Sequence, residues 1–324
     1  MRYLIYGAGA IGGAIGGRLF QHGHDVVLIA RGDHLAALQS SGLALKDPEG
    51  TVQLMIPAAG SAEEAAPRRD DVVVLATKSQ HSEELLTALE SVAPTDIAVV
   101  CAQNGVENER LALRRFERVY GMRVILAGTH LEPGVVEIST APSSGILDIG
   151  RYPRGTDELA ETVAADLRGS GFDAEATDSV MSHKYLKLTS NVANAIEAAC
   201  GTRLEHPVAR ELAKAARAEA RACYEAAGID VADENAEAER RRRRGLTQAV
   251  GGTVRQGGSS WQSLRRGTGN IEADWLNGEI VLLGRLHDVP TPVNARLQAV
   301  ANQMARQGAE PGSMSAEELA AGLL

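Results

Sequence analysis

Gly7, Gly9 and Gly12 stand at the spacing G-x-G-x-x-G, between a short apolar run (3–6) and a stretch (10–22) whose apolar residues recur at helical spacing. In a strand–turn–helix setting the first glycine allows a tight turn, the second lets the backbone approach a pyrophosphate, and the third lets helix and strand pack closely. Gly7, Ala8, Gly9, Ala10, Ile11 and Gly12 are therefore expected to cradle a dinucleotide at the positive end of the helix. The next strand-like run, 25–30, leads into Arg31. An Asp or Glu there would accept from a ribose 2′-hydroxyl, whereas a guanidinium suits a 2′-phosphate, so Arg31 predicts NADP(H) rather than NAD.

A second set of polar residues lies farther along. Placed on one helix at 100° per residue, Lys184, Lys187, Asn191 and Asn194 fall within an arc of about 80°. Leu186, Leu188, Val192, Ala193 and Ile196 surround them. Such a stripe on a largely buried helix needs polar partners or a cleft, because unpaired burial is costly. A half-buried lysine, its pKa depressed toward neutrality, could protonate a carbonyl oxygen during reduction. One that snorkels to a salt bridge fits the same spacing. Lys78 and Asn104 each follow an apolar strand-like run, at the carboxyl ends where open α/β sheets bind ligands. His81 and His130 read as ordinary loop histidines. No His, Cys or Asp grouping has metal-ligand spacing, so no metal is expected, and there is no G-x-S-x-G.

Strand-like runs (3–6, 25–30, 72–76, 97–101, 119–126) alternate with helical patterns (10–22, 34–41, 80–92). This order predicts a mostly parallel, doubly wound sheet with helices on both faces, ending in antiparallel pieces within 121–150. Beyond about residue 178 the strand signals give way to Ala-, Arg- and Glu-rich helical patterns. Pro207 is placed to open a helix, and residues 257–260 form a loop before a helix carrying Trp275. Pro290 and Pro292 precede a last helix ending near 307. The fold class is therefore α/β: an N-terminal Rossmann-type doubly wound sheet (1–175) followed by an all-α C-terminal domain (176–324).

The chain has 324 residues and a net charge of −9, with 44% hydrophobic and 23% charged residues. That is enough for two cores. An acidic balance excludes a nucleic-acid or anionic-membrane partner, since both require a clustered positive field. The basic run 240–244 follows Asp233, Glu234, Glu237 and Glu239, and reads as a solvated, charge-compensated helix face. Cys101, Cys200 and Cys223 show no paired spacing and read as reduced thiols of a cytoplasmic protein. No apolar stretch approaches the ~20 residues that cross a bilayer. The helical half offers apolar faces on which two copies could form a homodimer.

Several of these features recur together. Residues 7–12, Lys78, the run Gln103, Asn104, Gly105, the pair Lys187 and Leu188 with Asn191, and Ser259 and Ser260 with Glu272 are in the order of the ketopantoate reductase family, which this chain resembles along nearly its whole length. The thirteen-residue step from Ser259 to Glu272, followed by Asp274, Asn277 and Gly278, is the more specific part. The resemblance implies NADPH-dependent reduction of a 2-oxo acid, 2-dehydropantoate to (R)-pantoate in pantothenate biosynthesis, in a cleft between the two domains. It implies Lys187 as general acid, and Glu272 as the residue that orients it, touches substrate or touches cofactor. It further implies Asn191, Asn194, Ser260 and Asn104 at the substrate, and Lys78 and Asn104 at the cofactor. Two features depart from the family pattern: Asn194 is followed by Ala195 rather than proline, and it lies three rather than four residues after Asn191. The segment 232–258 is also longer and more charged than the family leads one to expect. Reduction of a different branched or hydroxylated 2-oxo acid is the neighbouring reading. A non-catalytic NADP-binding redox sensor is a third, and it would need neither Lys187 nor Glu272.

Overall fold

The structure, a computed structural model, describes residues 1–201 and 205–323, apart from the side chains of Arg243, Arg244 and Leu246. The chain divides into two units. The first comprises Met1–Lys184 and Glu234–Arg255, the second Tyr185–Asp233 and Gln256–Leu324.

The first unit begins β1 (Arg2–Tyr6), α1 (Ala10–Gln21), β2 (Asp25–Ile29), α2 (Gly32–Ser41), β3 (Leu43–Asp47), β4 (Gly50–Leu54), β5 (Ala58–Ala59) and α3 (Ala62–Ala65). It continues through β6 (Val72–Leu75), α4 (Ser82–Glu90), β7 (Ala98–Cys101), α5 (Asn108–Leu113) and β8 (Arg118–Ile125). Four shorter strands follow, β9 (Gly128–Thr129), β10 (Val135–Ile138), β11 (Thr140–Pro142) and β12 (Ile146–Arg151), then α6 (Glu158–Gly169) and the start of α7 (Val180–Asn191), whose residues from Tyr185 on belong to the second unit. Every residue of β6 and β7 is buried, as continuous apolar strands covered on both faces must be. The main sheet runs β12-β8-β7-β6-β1-β2-β5, parallel except where β12 pairs antiparallel with β8. From β1 the chain winds outward to β2 on one side, and then resumes at β6 on the other. This is the switch point at which such sheets bind ligands. The loops after β1, β2, β6 and β7 carry the glycine motif, Arg31, Lys78 and Asn104 respectively.

A smaller sheet, β4-β3-β10-β9, accompanies the main one. Its β9 and β10 pair antiparallel within 121–150, as expected, but β3 and β4, a hairpin inserted after α2, were not legible in the sequence because they are short.

The second unit contains α8 (Asn194–Cys200) and α9 (Pro207–Ala226), where Pro207 occupies the first turn as expected. Next along the chain, α10 (Glu234–Arg244) and the strand β13 (Gly245–Thr247) belong to the first unit. The second unit resumes with α11 (Ser259–Arg265), α12 (Asn277–Leu286), α13 (Pro292–Gln307) and α14 (Ala316–Ala320). Ala209, Leu212, Ala213, Ala216, Ala220 and Cys223 form the buried stripe of α9, at three- and four-residue spacing.

Three expectations change here. The helical half is not continuous from residue 176: the first unit runs to Lys184 and takes back 234–255, whose β13 pairs antiparallel with β11. The basic run is not simply a solvated face. Arg123, fully buried on β8, pairs with both Asp148 and Glu237, and Arg240 binds Asp148 (2.8 Å) and Asp173 (2.8 Å). These ion pairs fasten α10 to the sheet: Arg240 is answered by Asp148 and Asp173, while Arg241 keeps the expected compensation by a preceding acid, Glu237 (2.6 Å). Finally, Ser259 and Ser260 are not loop residues but open α11, which stops at Arg265; Trp275 lies in a separate 3-10 turn, Glu272–Trp275. Gly267 and Gly269, both at positive φ, separate the two.

Candidate active site

The glycine loop has the form a pyrophosphate requires. Gly7 sits at φ +100°, and a Cβ there would lie 2.5 Å from the Thr77 side chain. A Cβ on Gly12 would lie 2.1 Å from the Gly7 carbonyl oxygen, so helix and turn could not close. A Cβ on Gly9, by contrast, would meet only His130, at 3.8 Å; the backbone at this position is open to a ligand. α1 begins directly after Gly9, with no acidic residue in its first turn and no side chain capping it. Its first N–H groups and the positive end of its dipole are thus suited to a phosphate. These residues fit a dinucleotide.

The loop is held from beneath by His34. The Gly134 N–H donates to Nδ1 (2.9 Å), which leaves the proton on Nε2, and Nε2 donates to the Ala8 carbonyl (2.8 Å). A ring that accepts at Nδ1 is neutral, and burial, only partly opposed by the Ala8 hydrogen bond, lowers the His34 pKa in the same direction.

Arg31 precedes α2 and is exposed, its Nη2 3.0 Å from Glu84 on α4. Lys78 follows β6 and is half-buried. Asn104 follows β7, and its carbonyl accepts from Asn108 Nδ2 (3.2 Å) and Ser79 Oγ (3.4 Å). Asn108 also joins Ser82, which accepts from Gln103 (2.7 Å), so the Asn104 turn rests on a buried polar network.

The polar stripe of 184–194 resolves into three different environments. Lys184 is buried, paired with the fully buried Glu109 of α5, and donates to the carbonyls of Cys101 (3.4 Å) and Gln103 (3.1 Å). It is an internal anchor. Lys187 and Asn191, one and two turns farther on, are half-buried, and the buried Oδ1 of Asn191 has no hydrogen-bond partner among the described residues. Asn194 does not share their helix: α7 ends at Asn191 and α8 starts at Asn194. In a continuous helix the Val192 carbonyl would accept from Ile196. Here Ile196 donates to Ala193, and the Val192 carbonyl takes the side-chain amide of Asn277 instead (2.9 Å). Asn277 in turn donates to Asn294 (3.0 Å).

α8 packs against α11, and Glu197 of α8 accepts the Gly258 N–H (2.9 Å) just ahead of Ser260. The structure therefore brings the helices of Asn194 and Ser260 together. Glu272 is buried in its 3-10 turn, which packs on α12 and α13. His34, Glu109, Glu197 and Asn277 were not legible in the sequence as positioning residues; each acts on a chain segment far from its own, and only Asn277 carried any signal, as part of the family match.

A cradle of this form at the switch point of a parallel sheet places the protein among the NAD(P)-dependent oxidoreductases. The family described as Ketopantoate reductase PanE/ApbA matches residues 3–154, and its C-terminal domain matches residues 179–305; the chain belongs to that family. It is similar to a 2-dehydropantoate 2-reductase of Mesorhizobium japonicum, 32% identical over 339 residues, 94% of this chain and 98% of that one. A second 2-dehydropantoate 2-reductase, from Pyrococcus horikoshii, is 35% identical over 195 residues, 60% of this chain and 62% of that one. Among solved structures, a PanE/ApbA family ketopantoate reductase from Ralstonia eutropha superposes with a TM-score of 0.79 at 28% identity, over 95% of this chain and 99% of that one. The fold is also that of D-mandelate dehydrogenase, solved with NADH and anilino(oxo)acetate: TM-score 0.80 at 22% identity, over 95% of this chain and 99% of that one. Among the described residues no helix is long and apolar enough to cross a membrane, and no group of three or more His, Cys, Asp or Glu could hold a metal.

Proposed function

We propose that this protein reduces the ketone of 2-dehydropantoate to the alcohol of (R)-pantoate with NADPH, in the cytoplasm, as a step of pantothenate synthesis. Beside family membership, the observation that carries the reading is the pair Lys187 and Asn191. The two are one turn apart and half-buried on a helix whose neighbouring lysine, Lys184, is fully engaged in an ion pair.

When bound, the reduced nicotinamide supplies the hydride. The glycine loop holds the pyrophosphate, and Arg31 gives the 2′-phosphate a two-pronged donor, which favours NADPH over NADH. Lys187 donates a hydrogen bond to the ketone oxygen, stabilises the negative charge that develops there, and passes it the proton. Asn191 is suited to orient the substrate, because its Oδ1 is available to a substrate hydroxyl. Ser260 and Asn194 donate to the substrate carboxylate, and Asn104 contacts cofactor and substrate. Lys78 adds positive charge at the phosphates, and Glu272 orients Lys187.

Oxidation of NADPH against a panel of 2-oxo acids (2-dehydropantoate, pyruvate, 2-oxoisovalerate and benzoylformate) tests the assignment. A site that hydrogen-bonds a substrate hydroxyl discriminates strongly against acids that lack it, so 2-dehydropantoate should lead in kcat/KM by at least about tenfold. A larger kcat/KM for another acid would move the substrate assignment.

A further inference from the structure

We propose that His34 is a positioning residue for dinucleotide binding: its neutral, Nε2-protonated ring fixes the Gly7-Ala8-Gly9 backbone in the form that receives the pyrophosphate. The proposal rests on the dinucleotide reading above and adds to it a residue outside the glycine motif.

The loop has little of its own to hold it in place, since two of its three residues lack side chains. Gly7 is tied to the strands through its N–H, which donates to Ile29 (3.0 Å). Ala8 is tied through its carbonyl, which accepts from His34 Nε2 (2.8 Å). The opposite nitrogen of the same ring accepts from Gly134 N–H (2.9 Å), and the Gly134 carbonyl accepts from Ala44 of β3 (2.8 Å). One imidazole therefore connects the glycine loop to the smaller sheet. It packs against the His130 ring, with centroids 4.3 Å apart and the planes tilted by 49°, and His130 Nδ1 donates to the Val135 carbonyl (2.9 Å). His130 is also the side chain nearest the position that a Gly9 Cβ would occupy. His34 thus holds the loop at Ala8, and His130 braces the His34 ring. A loop already held in its binding form loses less freedom when the ligand arrives, and this shows as affinity.

The two bonds of the ring can be separated by substitution. His34→Gln retains an amide N–H at about the reach of Nε2 and can still donate to Ala8. His34→Asn retains an acceptor near the position of Nδ1 and can still serve Gly134, but falls short of Ala8. NADPH binding to the full-length protein would be titrated by fluorescence, with kcat and both KM values measured alongside. His34→Asn should raise the Kd for NADPH by about three- to tenfold, the loss of one hydrogen bond. Its kcat at saturating NADPH and its KM for the 2-oxo acid should stay within about twofold of wild type, and His34→Gln should bind NADPH nearly as wild type does. Unchanged affinity in His34→Asn, or equal losses in both variants, overturns the role of His34. A wild-type protein that binds neither NADPH nor NADH overturns the dinucleotide reading instead. The unmodified protein gives an independent check: nitrogen NMR of labelled histidine should show His34 protonated on Nε2, and an Nδ1-protonated ring overturns the proposal.

Discussion

The ammonium of Lys184 and the carboxylate of Glu109 meet in the interior of the first unit, and that ammonium also donates to the carbonyls of Cys101 and Gln103 at the end of β7. Burial pushes the Glu109 carboxyl up, and the charge and hydrogen bond of Lys184 oppose that shift. The pair joins the start of α7 to the strand end from which the Asn104 turn departs.

Removing one partner of such a pair leaves a charge buried without an answer. Lys184→Met should therefore lower stability by about 3–5 kcal/mol, and adding Glu109→Leu should recover most of the loss. Urea unfolding of the two variants checks this. Equal stability of the single and double variants would mean that the pair contributes no such coupling.

Lys187→Ala should reduce kcat by at least about a hundredfold, the low end for general acid catalysis, while NADPH affinity changes by no more than a few-fold. Steady-state kinetics with a separate binding titration distinguishes the two effects. An undiminished kcat would assign proton delivery to another donor or to water. Lys184, held in its ion pair, is not positioned to substitute.

Arg31→Ala should weaken NADPH about ten- to a hundredfold, with little effect on NADH, because a charge-assisted pair to the 2′-phosphate is lost. Glu84, 3.0 Å from Arg31, should act in the opposite sense. Glu84→Gln frees the guanidinium and removes a negative charge near the phosphate, so NADPH should bind somewhat more tightly. Parallel titrations with both cofactors decide it; equal losses for NADPH and NADH would remove Arg31 from the selection of cofactor.

Burial pushes the Glu237 carboxyl up, but Arg123 and Arg241 outweigh it and hold the group below its ordinary value of 4.5. A carboxylate whose pKa is depressed by folding adds stability that is complete above the unfolded value and disappears as pH falls through the folded one. Glu237→Gln should therefore cost about 1.5–3 kcal/mol near neutral pH. The difference from wild type should narrow steadily below about pH 4.5. Unfolding by urea across that range measures it, and a difference independent of pH would show that Glu237 contributes through packing rather than charge.

The sequence by itself determined what depends on local geometry. A G-x-G-x-x-G turn is readable because the tight turn and the close approach of helix to strand admit no side chains, a constraint met within six residues. The parallel strands are readable because burial on both faces makes them uniformly apolar, and Pro207 marks its helix because a first turn needs no N–H there. Tertiary structure alone decided the fates of residues that local pattern treats alike. Lys184 and Lys187 share one helical stripe, yet the first is fully buried against Glu109, 75 positions earlier in the chain, and the second is only half-buried. Asn191 and Asn194 share the same arc, yet they lie on separate helices because Asn277, 85 positions after Val192, takes a carbonyl that the helix would otherwise use. Arg240 likewise leaves the surface pattern for Asp148 and Asp173 on and beside the sheet. Helical spacing fixes which residues share a face. Whether a charge or an amide on that face remains available for chemistry depends on the distant group that folding brings against it.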